Sequence, residues 1–218
     1  MKIDPQKVVD LSMPIIDKKE NFPYDCVNKM SNEMLKTGVW YISSRIYMHS
    51  HVGTHVEFPL HHRRDGMDCN DFPLENLVGE ATVINCVGKK AGEAITLAEV
   101  RRYENELRER DMIFLRTDFD KKYRDPDWEP FPYLEEEAAR WLVETYHPIV
   151  VGTDASCFEV PGIVGQPNHT MMFANDILIV ESITNLAAIE GKRATVIIPA
   201  LRFCGVDASP ARILAFLD

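Results

Sequence analysis

Five of the seven histidines fall in one short stretch, His49-Ser50-His51-Val52-Gly53-Thr54-His55-Val56-Glu57-Phe58-Pro59-Leu60-His61-His62. This stretch limits what the chain can do locally. Gly53 and the β-branched Val52 and Thr54 weaken a helix, and Pro59 ends one, so a strand or strand-edge loop is predicted. In an extended chain side chains alternate faces with period two, which would send His49, His51, His55, Glu57, Pro59 and His61 to one side. A helix would also unite His51 and His55, at the i, i+4 spacing of the zinc-protease H-E-x-x-H pattern, but the residues between them oppose it.

Histidine is the commonest metal ligand, and a carboxylate beside it completes a mixed nitrogen and oxygen donor set. Two imidazoles and a carboxylate at His51, His55 and Glu57, with a further imidazole at His61, carry the pattern of a metal site rather than of a solvated basic patch. A divalent cation held by three such ligands keeps positions open for water and substrate, as catalytic centres require.

The run His51-Val-Gly-Thr-His55-Val-Glu57-Phe-Pro59-Leu-His61 resembles the H-x-G-T-H-x-D-x-P-x-H motif of the cyclase-like metal-dependent hydrolase family, which includes bacterial kynurenine formamidases and isatin hydrolases. Further landmarks follow in order. Val9-Asp10-Leu11-Ser12 is similar to the family's D-L-S signature, and Leu115-Arg116-Thr117 to its R-T strand end. Gly152-Thr153-Asp154-Ala155-Ser156 resembles its G-x-D-x-x-S segment. His169 with Glu181 and Asn185-Leu186 resembles its second metal-binding segment, and Gly205-Val-Asp207-Ala-Ser209-Pro210 its G-x-D-x-S-P turn. One departure stands out: Glu57 occupies a position where the family usually has Asp.

The resemblance implies an α/β fold of the swivelling β/β/α type, β-rich and formed as one domain over residues 1–218. It assigns His51, His55 and Glu57 to a first metal, with Glu57 also bridging to a second held by His169 and Glu181, and it makes His61 the acid/base. Glu181 gains separate support, because a carboxylate ending the apolar run Ile177 to Val180 calls for a partner or a ligand. Zinc is the expected cation and manganese the alternative, one or two per chain, since the longer Glu57 leaves the count open. His49 and His62 have no role in the motif and are expected beside the ligands or at the surface.

Composition agrees with a globular enzyme: 218 residues, 45% hydrophobic and 27% charged. A net charge of −10 argues against a nucleic-acid groove, which needs a basic face, and gives no reason to propose an anionic membrane surface. Apolar runs such as Ala194 to Leu201 are too short to span a bilayer. The first residues lack an apolar signal core, so a cytoplasmic location is expected. The five cysteines form no C-x-x-C pair and are read as reduced thiols, with Cys157 structural rather than nucleophilic.

Strands are predicted at 81–87, 112–117, 149–153, 177–180, 194–199 and 212–217 from short apolar runs. One helix starts at a capping box, Thr96 with Glu99, and carries Leu97, Val100 and Leu107 on one stripe. A second runs from about Leu134 to Tyr146, stopped by Pro148. The polar and aromatic stretch from Asp118 to Pro132 is read as a lid loop.

Phe22, Tyr24, Trp40, Phe58, Trp128 and Phe131 are candidates for an aromatic substrate wall. Phe58 leads them as the substrate-binding residue because it interrupts the ligand motif. Arg116 either orients a substrate carboxylate or makes a structural ion pair. The expected activity is metal-dependent hydrolysis of a C–N amide bond in a small molecule, arylformamidase-like, with N-formyl-kynurenine giving kynurenine and formate. Opening of an isatin-like lactam is the enzymatic alternative, and a non-catalytic metal- or ligand-binding protein the alternative of another class. The resemblance also implies a homodimer or higher homo-oligomer.

Overall fold

The Val- and Ile-rich runs become the middle of a sheet. The computed structural model describes residues 4–22, 24–29, 38–40, 43–126 and 128–217, and for 27–29 the backbone alone. Its strands are β1 Val8–Asp10, β2 Tyr24–Lys29, β3 Ser43–Met48, β4 His55–Glu57, β5 Val78–Asn85, β6 Ala94–Ile95 and β7 Met112–Arg116. They continue with β8 Tyr133–Leu134, β9 Val150–Thr153, β10 Leu178–Glu181, β11 Ala194–Ile197, β12 Ala208–Pro210 and β13 Leu214–Leu217. Nine of these form one sheet in the order β1-β13-β11-β5-β7-β9-β10-β4-β12. The strands β5, β7, β9 and β10 are mutually parallel, and antiparallel pairs extend the sheet on both sides. The mixed sheet curls into a half-barrel, an α/β architecture.

Parallel strands buried on both faces read as continuous apolar runs, and their alternate residues feed two cores. Met112, Phe114, Val150, Leu178 and Val180 join Val56, Phe58 and Phe72 in one core. Ile113, Leu115, Val151 and Ile179 join the other. The second core is roofed by helices α1 Leu97–Val100, α2 Glu136–Tyr146 and α3 Pro167–Ala174, through Val100, Ala138, Leu142, Met172 and Phe173. Among the described residues no helix is long and apolar enough to cross a membrane.

The predicted α2 is present, ending at a left-handed His147 (φ 44°) before Pro148. The capping box also forms, with Glu99 Oε2 accepting from Thr96 N at 2.9 Å. The helix it starts is shorter than the apolar stripe: one α-turn passes into a 3-10 turn at Arg101–Tyr103, yet Leu107 still reaches the core. Helix α3 is not legible as an amphipathic stripe; its buried residues are Asn168, His169, Met172 and Phe173, half of them polar.

Two distant landmarks of the sequence meet in one hydrogen-bond node. The buried Asp154 carboxylate accepts from Thr117 N (2.8 Å), Thr117 Oγ1 (2.5 Å) and Asp118 N (2.8 Å), holding Asp118 in the left-handed region at φ 63°. Gly152, two residues earlier, admits no side chain, because a Cβ would lie 2.9 Å from Val180 O. The Asp10–Ser12 landmark ties the start of the described chain to its end: Ser12 Oγ accepts from Ile213 N at 2.6 Å.

Asp154→Ala would leave those three donors without their acceptor, a loss of about 3 kcal/mol at roughly 1 kcal/mol or more for each orphaned group. Urea unfolding should show a lower midpoint with unchanged slope, and Asp154→Asn a smaller loss. A midpoint for Asp154→Ala equal to that of the parent would refute this account of the node.

Candidate metal centre

Strand β4 lies between β10 and β12, with His55 opposite Glu181 and Pro210, and Glu57 opposite Ile179 and Ala208. Because Val56 and Phe58 enter the first core, His55 and Glu57 turn to the opposite face, the one that α3 covers. Glu181, cross-strand from His55, shares that face, and its Oε2 lies 3.6 Å from His55 Nε2.

The single extended face predicted for His49 through His61 does not form. Only His55 and Glu57 are related by strand alternation. His51 is returned to them by the turn through Gly53, whose φ of 65° suits glycine and whose Cβ would meet Ile15 at 3.0 Å. That turn is pinned by Gly53 N–H to Tyr123 Oη (3.0 Å) and Thr54 Oγ1 to Ser182 O (2.5 Å). His61 is brought back by the 3-10 turn Pro59–His61. Turns rather than pleat bring the outer histidines in.

Helix α3 supplies His169 in its first turn. His169 Nε2 lies 3.5 Å from Glu57 Oε2 and 3.3 Å from Glu181 Oε1. On the other side His51 Nδ1 is 2.7 Å from Glu57 Oε1 and 3.2 Å from His55 Nε2, which is itself 3.3 Å from Glu57 Oε1. Glu57 therefore spans both sets, one oxygen toward His51 and His55 and the other toward His169. The structure brings together His51, His55, Glu57, His169 and Glu181, all buried.

These residues fit a divalent cation on three counts. Each imidazole is fixed from behind: His51 Nε2 donates to Asp207 Oδ2 (3.0 Å), His55 Nδ1 to Gly53 O (2.9 Å) and His169 Nδ1 to Glu159 Oε1 (2.9 Å). Such outer acceptors set ligand orientation and basicity in metal sites. The front nitrogens lie 2.7–3.6 Å from the carboxylate oxygens, a range that brackets the roughly 3.4 Å edge of a tetrahedron with bonds of about 2.1 Å. Finally, Glu57 Oε2 and Glu181 Oε1 are buried with no hydrogen-bond partner, a costly arrangement unless a cation or proton meets them.

The site's electrostatics show the same demand for positive charge. Burial alone would strip protons from His51, but hydrogen bonds to Asp207 and Glu57 outweigh it and lift the imidazole to about 9. Burial likewise opposes charge on His169, and the neighbouring carboxylates of Glu159 and Glu181 lift it to about 10. Burial would raise Glu57, yet hydrogen bonds from His51 and His55 hold it well below the usual carboxylate range.

His61 borders a cavity of about 380 Å³ at this centre, and its Nδ1 donates to Asp207 Oδ2 at 2.7 Å. One carboxylate oxygen thus serves both His51 and His61. Asp207 was visible in sequence as part of the G-x-D-x-S-P turn, but nothing in its spacing tied it to the histidines. Glu159 had no sequence signal at all. His49 stacks on Phe22 (4.9 Å between centroids) in the cavity wall, while His62 stacks on His169 (5.5 Å) and bonds Gln166.

Phe58 is a correction. It is fully buried in the core on the other side of β4, edge-on to Phe72 at 5.7 Å, because it differs in parity from Glu57; it does not line the cavity. The aromatic wall is Phe22, Trp128 and Phe131, the last two from the predicted lid loop. Trp40 is 72% exposed, and Tyr24 is not among the lining residues. Arg116 pairs with Asp118 (2.9 Å) and Glu190 (2.5 Å), the structural alternative. Cys157 lines the cavity, and burial, then the charge of Glu181, pushes its thiol well above the ordinary value, the opposite of an activated nucleophile.

The chain is similar to kynurenine formamidases of Polaromonas naphthalenivorans strain CJ2 (23% identity over 95% of this chain and 90% of that one) and Erythrobacter litoralis strain HTCC2594 (28%, 78% and 74%). Among solved structures it superposes on isatin hydrolase A from Ralstonia solanacearum with a TM-score of 0.87 at 20% identity, covering 97% of this chain and 92% of the other. A structure described as a potential metal-dependent hydrolase with cyclase activity gives 0.78 at 27% identity, covering 97% and 98%. The family model described as "Putative cyclase" matches residues 9–160, more than half of the sequence, and the chain belongs to that cyclase family.

Proposed function

We propose that this protein is a metal-dependent hydrolase that cleaves a C–N amide bond, with a kynurenine formamidase-like reaction as the leading specificity. The observation that carries this is the convergence of the His51, His55 and His169 imidazoles with the buried Glu57 and Glu181 carboxylates, with His61 at the edge of the cavity. A bound divalent cation, zinc before manganese, would supply Lewis acidity to an amide carbonyl and lower the pKa of water from about 15.7 toward about 7.

The chain's own residues account for the rest. Asp207 holds His61 Nδ1, so Nε2 is the nitrogen left to take a proton from water and deliver it to the departing amine. The same carboxylate fixes His51, so acid/base and ligand are positioned by one group. Phe22, Trp128 and Phe131 offer flat apolar surface for an aryl group beside the scissile amide. That wall suits an anilide-type formamide and equally a fused lactam of the isatin kind, which is the second reading. Self-association is also proposed, supported by strand β3, where Ile46 and Tyr47 are each more than half exposed.

His51→Ala and His55→Ala should each abolish both stoichiometric metal and hydrolysis; full metal by elemental analysis in the double variant would sink the ligand assignment. His61→Ala should keep its metal while kcat falls about 10²–10⁴-fold, and an unchanged kcat would remove His61 from the mechanism. Asp207→Asn should lower kcat by roughly 10–100-fold with metal retained in part. Metal-loaded protein assayed with N-formyl-kynurenine and isatin separates the two specificities, and no turnover across amides, lactams and lactones would favour a binding protein.

A further inference from the structure

One potential donor at this centre is not among the five residues assigned above. The loop after β9 wraps His169 closely: Phe158 stacks on the imidazole (5.1 Å between centroids, 25°), and Glu159 Oε1 accepts from both its backbone N–H (2.7 Å) and Nδ1 (2.9 Å). Cys157 is in the same loop. Its Sγ lies within 4.8 Å of the donor atoms of His169 and Glu181, and it faces the cavity. The Glu159 N–H donates to Sγ at 3.4 Å, a contact that disperses charge on sulfur. Glu181 Oε1, 3.3 Å from His169 Nε2, is a buried oxygen with no hydrogen-bond partner.

We propose that Cys157 is a ligand of the second cation, binding as a thiolate with His169 and Glu181. The inference rests on the metal-centre reading above and adds a donor to it. A thiol in this position releases its proton to solvent as the cation binds, so metal uptake is coupled to deprotonation. The chemical consequence is selectivity. Manganese prefers oxygen donors, whereas a thiolate with an imidazole suits zinc, at Zn–S bonds of about 2.3 Å. The set at His51, His55 and Glu57 lacks sulfur, so the two halves of the centre differ in softness, and the Cys157 half is the one that discriminates between metals.

Cobalt(II) titration of the purified protein tests this without relying on turnover. The expected result is a near-ultraviolet thiolate-to-cobalt charge-transfer band together with visible ligand-field bands. In C157S the charge-transfer band should vanish while ligand-field bands persist, and cobalt should bind the second site at least about tenfold more weakly. Ligand-field bands without a charge-transfer band in the parent, or a charge-transfer band that survives in C157S, would overturn the thiolate ligand and leave the metal centre standing. Absence of any cobalt binding would overturn both. A second measurement needs no variant: zinc should slow iodoacetamide labelling of Cys157 at least about tenfold while exposed Cys204 labels equally, and equal labelling of Cys157 with and without zinc would refute the proposal.

Discussion

The arrangement around the sheet's β4–β10 pair depends on one costly placement, two carboxylates buried side by side. Glu57 and Glu181 sit on adjacent strands, nearly inaccessible to water, each with an oxygen that forms no hydrogen bond. Leaving ionised carboxylates there unpaired would be prohibitive, so positive charge must be present in some form. Much of the surrounding structure serves that requirement. Helix α3 places His169 over the pair, the Gly53 turn returns His51, and Asp207, Glu159 and the Gly53 carbonyl hold the three imidazoles from behind.

This placement explains why local sequence rules fail at α3. A helix whose buried positions include Asn168 and His169 has no apolar stripe to read. Asn168 is buried because its Nδ2 donates to Leu134 O at 2.8 Å, and His169 is buried because carboxylates from two other elements need it. The same logic shortens the strand expected around His55. Three residues hold ladder register, and the rest of the histidine segment is bent by Gly53 and Pro59 so that side chains distant along the chain converge. Period two was sufficient to separate His55 and Glu57 from Val56, and the same rule places Phe58 in the opposite core.

The strands of the sheet's middle were legible because burial on both faces writes itself as uninterrupted Val, Ile and Leu. The capping box and the α2 stop were legible because they are local. Glu159 and Asp207 were not, since each acts on a histidine that lies far from it in sequence: Glu159 on His169, Asp207 on His51 and His61. Outer acceptors of this kind have no required spacing from the ligands they orient, so only the fold discloses them.

Glu57 is where sequence and fold are most informative together. A glutamate reaches one methylene beyond the aspartate usual at this motif position, and the structure shows where that reach goes. Its Oε1 is 2.7 Å from His51 Nδ1 while its Oε2 is 3.5 Å from His169 Nε2. The two donor sets are therefore not independent sites that happen to adjoin. They share a carboxylate whose backbone is fixed in a three-residue strand between β10 and β12, with Ile179 and Ala208 as its register partners. Any shift of β4 would move one oxygen away from each set at once, which makes the ladder register itself a determinant of the centre.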